Sequence, residues 1–184
     1  MKRQIDLLLA AALATLPVLA QSSKKIDAAK SYIRFVSKQM NVPVEGKFKK
    51  FDATVAFDPK KPEATKAEFE VELASIDLGA PDGETEVQLP LWFNTKAYPK
   101  ARFVASTVKA TGPGKFEATG ALTIKGITQN ITTPFTLTEA AGVRTVEGQF
   151  TLKRLQFRIG EMQWADTDTV ADDIAVRYKF VIPA

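Results

Sequence analysis

From Ser31 to the C-terminus the chain alternates apolar and polar residues in period two, segment after segment. Ala67, Phe69, Val71 and Leu73 interleave with Glu68, Glu70 and Glu72. Phe116, Ala118, Gly120, Leu122 and Ile124 interleave with Lys115, Glu117, Thr119, Thr123 and Lys125, and Ile174, Val176, Tyr178, Phe180 and Ile182 with Asp173, Arg177 and Lys179. Successive side chains of a strand point to opposite faces, so this writing confines the chain to half-buried antiparallel sheet. An apolar interior wrapped by strands, in a chain with no His and no Cys, points to holding an apolar molecule rather than to chemistry.

The pattern divides into eight strands, at 30–39, 44–57, 64–76, 101–111, 114–125, 127–138, 143–156 and 172–182. Asp58-Pro59 supplies turn chemistry, and Gly112-Pro113-Gly114 and Ala141-Gly142 are short enough for hairpins. Gly126 marks either a turn or a bend within one long segment. Residues 79–95 break the alternation after the third strand. Asp82, Glu84 and Glu86 favour a helix start there, Val87, Leu91 and Trp92 share a face, and Pro90 keeps the helix short. The expectation is a short helix crossing one end of the sheet.

Eight closed strands enclose either packed side chains or a small ligand. Gly46, Gly120 and Gly148 fall inside strands, as at barrel corners or close approaches, which favours the barrel. A packed two-sheet sandwich shows the same alternation and stays open from pattern alone.

The first twenty residues have a different character. Lys2 and Arg3 precede an apolar stretch, Leu7 to Ala14, and Pro17-Val18-Leu19-Ala20 ends in small residues. That is the layout of a secretory signal peptide over 1–20, with an uncleaved amphipathic or anchor segment as the alternative. The apolar run is too short to span a bilayer, and the mature domain, 21–184, is expected to carry no transmembrane segment. The domain is large enough to be stable without disulfides. The full chain's net charge of +4 falls to +3 without Lys2, Arg3 and Asp6, is spread along strands as Glu/Lys alternation and forms no nucleic-acid stripe.

Catalytic constellations are absent from the sequence. Ser and Thr have no His to activate them, and no Lys stands beside a Ser on an apolar face. Asp166, Asp168, Asp172 and Asp173 lack the ligand order of a calcium loop and read as turn-capping residues. No catalytic residue, metal or cofactor is expected.

Three segments occur in a characteristic order. Phe35-Val36-Ser37-Lys38-Gln39-Met40 leads to Gly46-Lys47-Phe48 and Phe57-Asp58-Pro59. Trp92-Phe93-Asn94-Thr95-Lys96-Ala97-Tyr98-Pro99 leads to Phe103, and Gly120-Ala121-Leu122-Thr123-Ile124-Lys125-Gly126-Ile127-Thr128 follows. With Lys153-Arg154, Gly160 and Trp164-Ala165-Asp166-Thr167, the chain resembles the YceI-like family of polyisoprenoid-binding, lipocalin-like proteins over essentially its whole mature length. The resemblance implies an extended lipocalin-like eight-stranded antiparallel barrel with an elongated apolar cavity. It also implies an isoprenoid ligand of polyprenyl or ubiquinone type and a periplasmic or secreted bacterial setting. Family members often carry His where this chain has Gln39, which offers a neutral hydrogen bond but does not titrate near neutrality.

On that reading the cavity wall comprises Phe35, Phe48, Phe69, Leu73, Phe103, Phe116, Leu122, Phe135, Phe150 and Phe180. The mouth comprises Gln39, Trp92, Phe93, Asn94 and Arg154. Arg154 continues the apolar face of Val146, Gly148, Phe150 and Leu152. It either holds an acceptor on a ligand head group or reaches the rim to pair with Asp166 or Asp168. Trp92, Phe93 and Tyr98 form a lid over the cavity or a plug within it. A structural barrel that binds a protein partner is the rival function; a homodimer and a membrane electron-transfer partner are left open.

Overall fold

The computed structural model describes residues 23–183, so the expected signal peptide over 1–20 lies outside the described residues. Eleven strands and one short helix follow in order. They are β1 (Lys24–Lys25), β2 (Tyr32–Gln39), β3 (Val42–Phe48), β4 (Phe51–Ala56), β5 (Lys66–Glu72), β6 (Ile76–Asp77), α1 (Pro81–Glu86), β7 (Lys100–Gly112), β8 (Lys115–Ile124), β9 (Ile127–Ala140), β10 (Val143–Lys153) and β11 (Asp173–Ile182). All join one antiparallel sheet in the order β1-β4-β5-β7-β8-β9-β10-β11-β2-β3-β6.

The expected count of eight strands is therefore corrected to eleven. β1 precedes the first expected strand, the segment expected as one strand over 44–57 breaks at Lys49 and Lys50, and the one over 64–76 breaks at a 3-10 turn, Leu73–Ser75. Ser75 causes both breaks to coincide. Its hydroxyl donates to Glu72 O and accepts from the Lys50 amide, and its carbonyl accepts from the Lys49 amide. These bonds replace ladder bonds at the kink, so the backbone bends without leaving its polar groups bare. β3 pairs with β2 and β6 on one side of the kink, and β4 pairs with β5 and β1 on the other. One chain segment thus serves both flanks, and the sheet curls round on itself.

The long strands are joined by tight turns. Met40-Asn41, Lys125-Gly126 and Ala141-Gly142 each hold two consecutive residues at positive φ, the twist that matches right-twisted strands. Gly126 therefore ends one strand and starts the next. In β8 the alternation is complete, with Phe116, Ala118, Gly120, Leu122 and Ile124 buried between half-buried or exposed neighbours. The expected short helix is present as α1, capped by turns that run on to Tyr98.

The in-strand glycines serve a neighbour rather than a corner. Gly148 pairs with Tyr178 across β10 and β11, and a β-carbon there would strike the Tyr178 ring and approach the Pro134 carbonyl to 2.6 Å. Gly46 and Gly120 lie in the same way beneath Phe35 and Phe103. Each glycine lets a large inward ring lie flat along the wall. Gly148→Ala is expected to cost about 1–3 kcal/mol of stability by overpacking, read as a lower urea midpoint at unchanged slope.

Candidate ligand cavity

The inner face of the curled sheet does not fill its interior. A cavity of about 720 Å³ runs between two clusters of buried side chains. One cluster gathers Val55, Phe57, Val108, Phe116, Phe180 and Ile182; the other, at the α1 end, gathers Leu73, Leu122, Ile124, Phe157 and Ile159. The volume falls among those of small-molecule sites, about 300–1,000 Å³, and the lining is predominantly aliphatic and aromatic.

Nine of the ten expected wall residues line it: Phe35, Phe48, Phe69, Leu73, Phe103, Leu122, Phe135, Phe150 and Phe180. Phe69 stacks on Phe180 with ring centroids 4.5 Å apart, and Tyr178 stacks on the other side at 5.2 Å. Phe116 is the exception. It stacks on Phe135 at 5.4 Å and meets the Phe57 edge at 5.2 Å, so it closes the far end as core instead of facing the cavity. Phe57, the last residue of the strand expected over 44–57, lines the cavity in its place.

The expected mouth residues divide. Gln39, Trp92, Phe93 and Arg154 reach the cavity at the α1 end, together with Asp82, Gly83 and Glu86 of the helix. Phe93 meets Phe48 edge-on at 6.3 Å, and Trp92 donates from Nε1 to Glu86 Oε1 at 3.2 Å. Both rings also pack on the buried cluster, so lid and plug are one feature. Asn94 does not line the cavity. Its φ of 50° places it in a turn, where its carbonyl accepts from the Ala97 and Tyr98 amides.

Arg154 is the larger correction. The chain leaves β10 at Lys153 and enters a 3-10 turn, Arg154–Phe157, which swings the side chain inward to 2% exposure. Nε donates to Ala171 O at 3.0 Å. One terminal nitrogen donates to Ile159 O and Gly160 O at 2.8 and 3.0 Å, the other to Trp164 O and Val170 O at 2.7 and 2.6 Å. A guanidinium has five N–H donors, and all five end on carbonyls. None remains for a ligand head group, and neither Asp166 nor Asp168 pairs with it. Burial pulls its pKa below the ordinary value, while the Asp172 carboxylate acts in the opposite direction. Asp166 instead accepts from the Asp168 amide and the Thr169 hydroxyl, and Asp172 accepts from the Leu155 amide, so both organise turns.

Two polar features escaped the sequence reading. Thr133 and Tyr178 stand in phase with the apolar faces of β9 and β11, and their hydroxyls meet at 2.9 Å within the cavity wall. Burial pushes the Tyr178 hydroxyl up to about 12, with the Thr133 bond acting in the opposite direction. Trp164, in a 3-10 turn over Met162–Ala165, packs on Trp92 at 5.4 Å and also lines the cavity.

The model of the YceI-like domain matches residues 25–182, and the chain belongs to the YceI-like family. Its fold is similar to that of Burkholderia cenocepacia BcnA, at 42% identity and a TM-score of 0.83, covering 85% of this chain and 98% of that one. A polyisoprenoid binding domain from Saccharophagus degradans implicated in plant cell wall breakdown shares the fold at 14% identity and a TM-score of 0.72, over 87% of this chain and 97% of that domain. A UPF0312 protein of Pseudomonas savastanoi pv. phaseolicola is 35% identical over 88 residues, 48% of this chain and 46% of the relative. The chain thus spans about half the length of the curated relatives it matches.

Replacing Arg154 with Met leaves five carbonyls without their donor and is expected to cost about 3 kcal/mol or more in urea unfolding. Titration followed at 295 nm is expected to show one of the three tyrosines ionising late, near 12, and Tyr178→Phe to remove that step. Because the folded state holds this proton above the pKa of the unfolded state, near 10, stability present below pH 10 is lost between about pH 10 and 12. The loss is expected to be smaller in Tyr178→Phe.

Proposed function

We propose that this protein binds or carries a long isoprenoid lipid, of polyprenyl or ubiquinone type, in the periplasm or outside the bacterial cell. Residues 1–20 act as the export signal and residues 21–184 as a single lipid-binding domain. The observation that carries this reading is the apolar cavity itself, about 720 Å³ walled by side chains from nearly every long strand. A barrel that served only as a structural unit gains stability by filling such a space, since interiors otherwise pack densely. The same-fold Saccharophagus domain supports an isoprenoid as the occupant.

The mechanism is burial without catalysis. Each methylene taken from water into the barrel contributes about 0.8 kcal/mol, so a branched hydrocarbon chain supplies affinity along its length. The stacked Phe69, Phe180 and Tyr178 rings form a flat apolar wall against which such a chain lies. The polar demand at the head group is correspondingly small.

Delipidated wild-type protein is expected to take up ubiquinone, read by quenching of Trp92 and Trp164 fluorescence. Ala118→Phe, which fills the cavity from the wall, is expected to reduce that uptake at least tenfold while the domain stays folded. Failure of the wild type to take up any isoprenoid overturns the reading in favour of a barrel that binds a protein partner.

A further inference from the structure

Among the few polar side-chain atoms along this cavity, two are buried without a partner: Thr65 Oγ1, just before β5, and Trp164 Nε1. Trp164 lines the α1 end beside Trp92, Arg154, Ile159 and Val170. Its indole Nε1 is buried and has no hydrogen-bond partner among the described residues. Buried indole N–H groups normally find an acceptor, and leaving one unmade forfeits a hydrogen bond already stripped of water. Trp92 gives the contrast, since its own Nε1 donates to Glu86 Oε1.

The carbonyls of Ile159, Gly160, Trp164, Val170 and Ala171 all receive N–H groups of Arg154. An indole is a donor only, so what completes this site must be an acceptor.

Charge narrows the acceptor further. Arg154 is a buried cation that forms no ion pair among the described residues, and its field favours partial negative charge nearby. Asp82 and Glu86 line the same end and oppose a full anion. A pyrophosphate would meet one indole N–H, the neutral Gln39 amide, no available guanidinium donor and two carboxylates. A neutral carbonyl oxygen needs a single donor and suffers little repulsion.

Resting on the isoprenoid reading above, we propose that Trp164 is the head-group contact and that Nε1–H donates to the neutral carbonyl oxygen of a quinone-type head. The isoprenoid tail then runs from the α1 end past Phe103, Phe69 and Phe180 towards Phe57. Specificity for the head rests on one hydrogen bond, and affinity rests on the tail.

The test compares ubiquinone with squalene, an isoprenoid hydrocarbon that has no acceptor, on full-length mature protein with ¹⁵N-labelled tryptophan. Only two indole signals are present, and Trp164→Phe assigns them. Ubiquinone is expected to move the Trp164 indole proton downfield, whereas squalene leaves it within the range of a packing change. Trp164→Phe is expected to weaken ubiquinone binding about five- to tenfold and squalene binding less than twofold. Equal responses to the two ligands, or tighter Trp164-dependent binding of a polyprenyl pyrophosphate, overturn the proposal while leaving the isoprenoid reading intact. Binding of neither ligand overturns both. The wild-type spectra decide the matter even if the variant folds poorly.

Discussion

A single sheet with one apolar face must hide that face, and here no second layer is available to cover it. The solution is curvature. The chain segment from Val42 to Ala56 kinks at Lys49 and Lys50, so that its two halves pair with opposite ends of the strand order. Ser75 makes the kink tolerable by supplying the bonds that the ladder loses there. Everything else follows from this closure: the inward faces meet across a space, and large rings laid flat over Gly46, Gly120 and Gly148 shape that space into a smooth wall.

The end nearest α1 is built differently, from turns rather than strands. Irregular backbone beside an apolar interior carries many carbonyls that need donors. Arg154 answers five of them from one side chain and so binds the segments at 159–160, 164 and 170–171 into a single wall. Gly160 fits this hub because a β-carbon there would collide with the Arg154 guanidinium. Lys125 reinforces it from outside, donating to Arg158 O and Glu161 Oε2. A charge that reads in sequence as either a head-group contact or a rim ion pair is thus the fastener of the cavity's end. Its full engagement leaves the Trp164 N–H and the Gln39 amide as the donors at this end.

Much of this was legible in the sequence because period two is a strict physical signature. Alternation alone marks the inward faces of the long strands, and nine of the ten expected wall residues line the cavity. The tenth, Phe116, faces inward as expected but lies where Phe57 and Phe135 close the barrel, and position along a strand carries no periodic mark. The strand count differs because β1 is only two residues long and because the breaks at Lys49 and at Leu73–Ser75 are held together by Ser75 bonds between segments distant in sequence. Arg154 faces inward as the strand phase predicts, but its partners are carbonyls of turns, and turns carry no periodic mark. Trp164 stands in a turn with no period, and its unpartnered donor emerges only when its neighbours' carbonyls are located.

The central claim is that the apolar space exists to hold an isoprenoid chain. The most direct measurement is the native mass of the protein purified from its own host under conditions that retain bound lipid. The account predicts a species heavier than the mature polypeptide by the mass of one isoprenoid lipid, released intact on collisional activation. A mass equal to the polypeptide alone, unchanged after incubation with ubiquinone or a polyprenyl lipid, would contradict it.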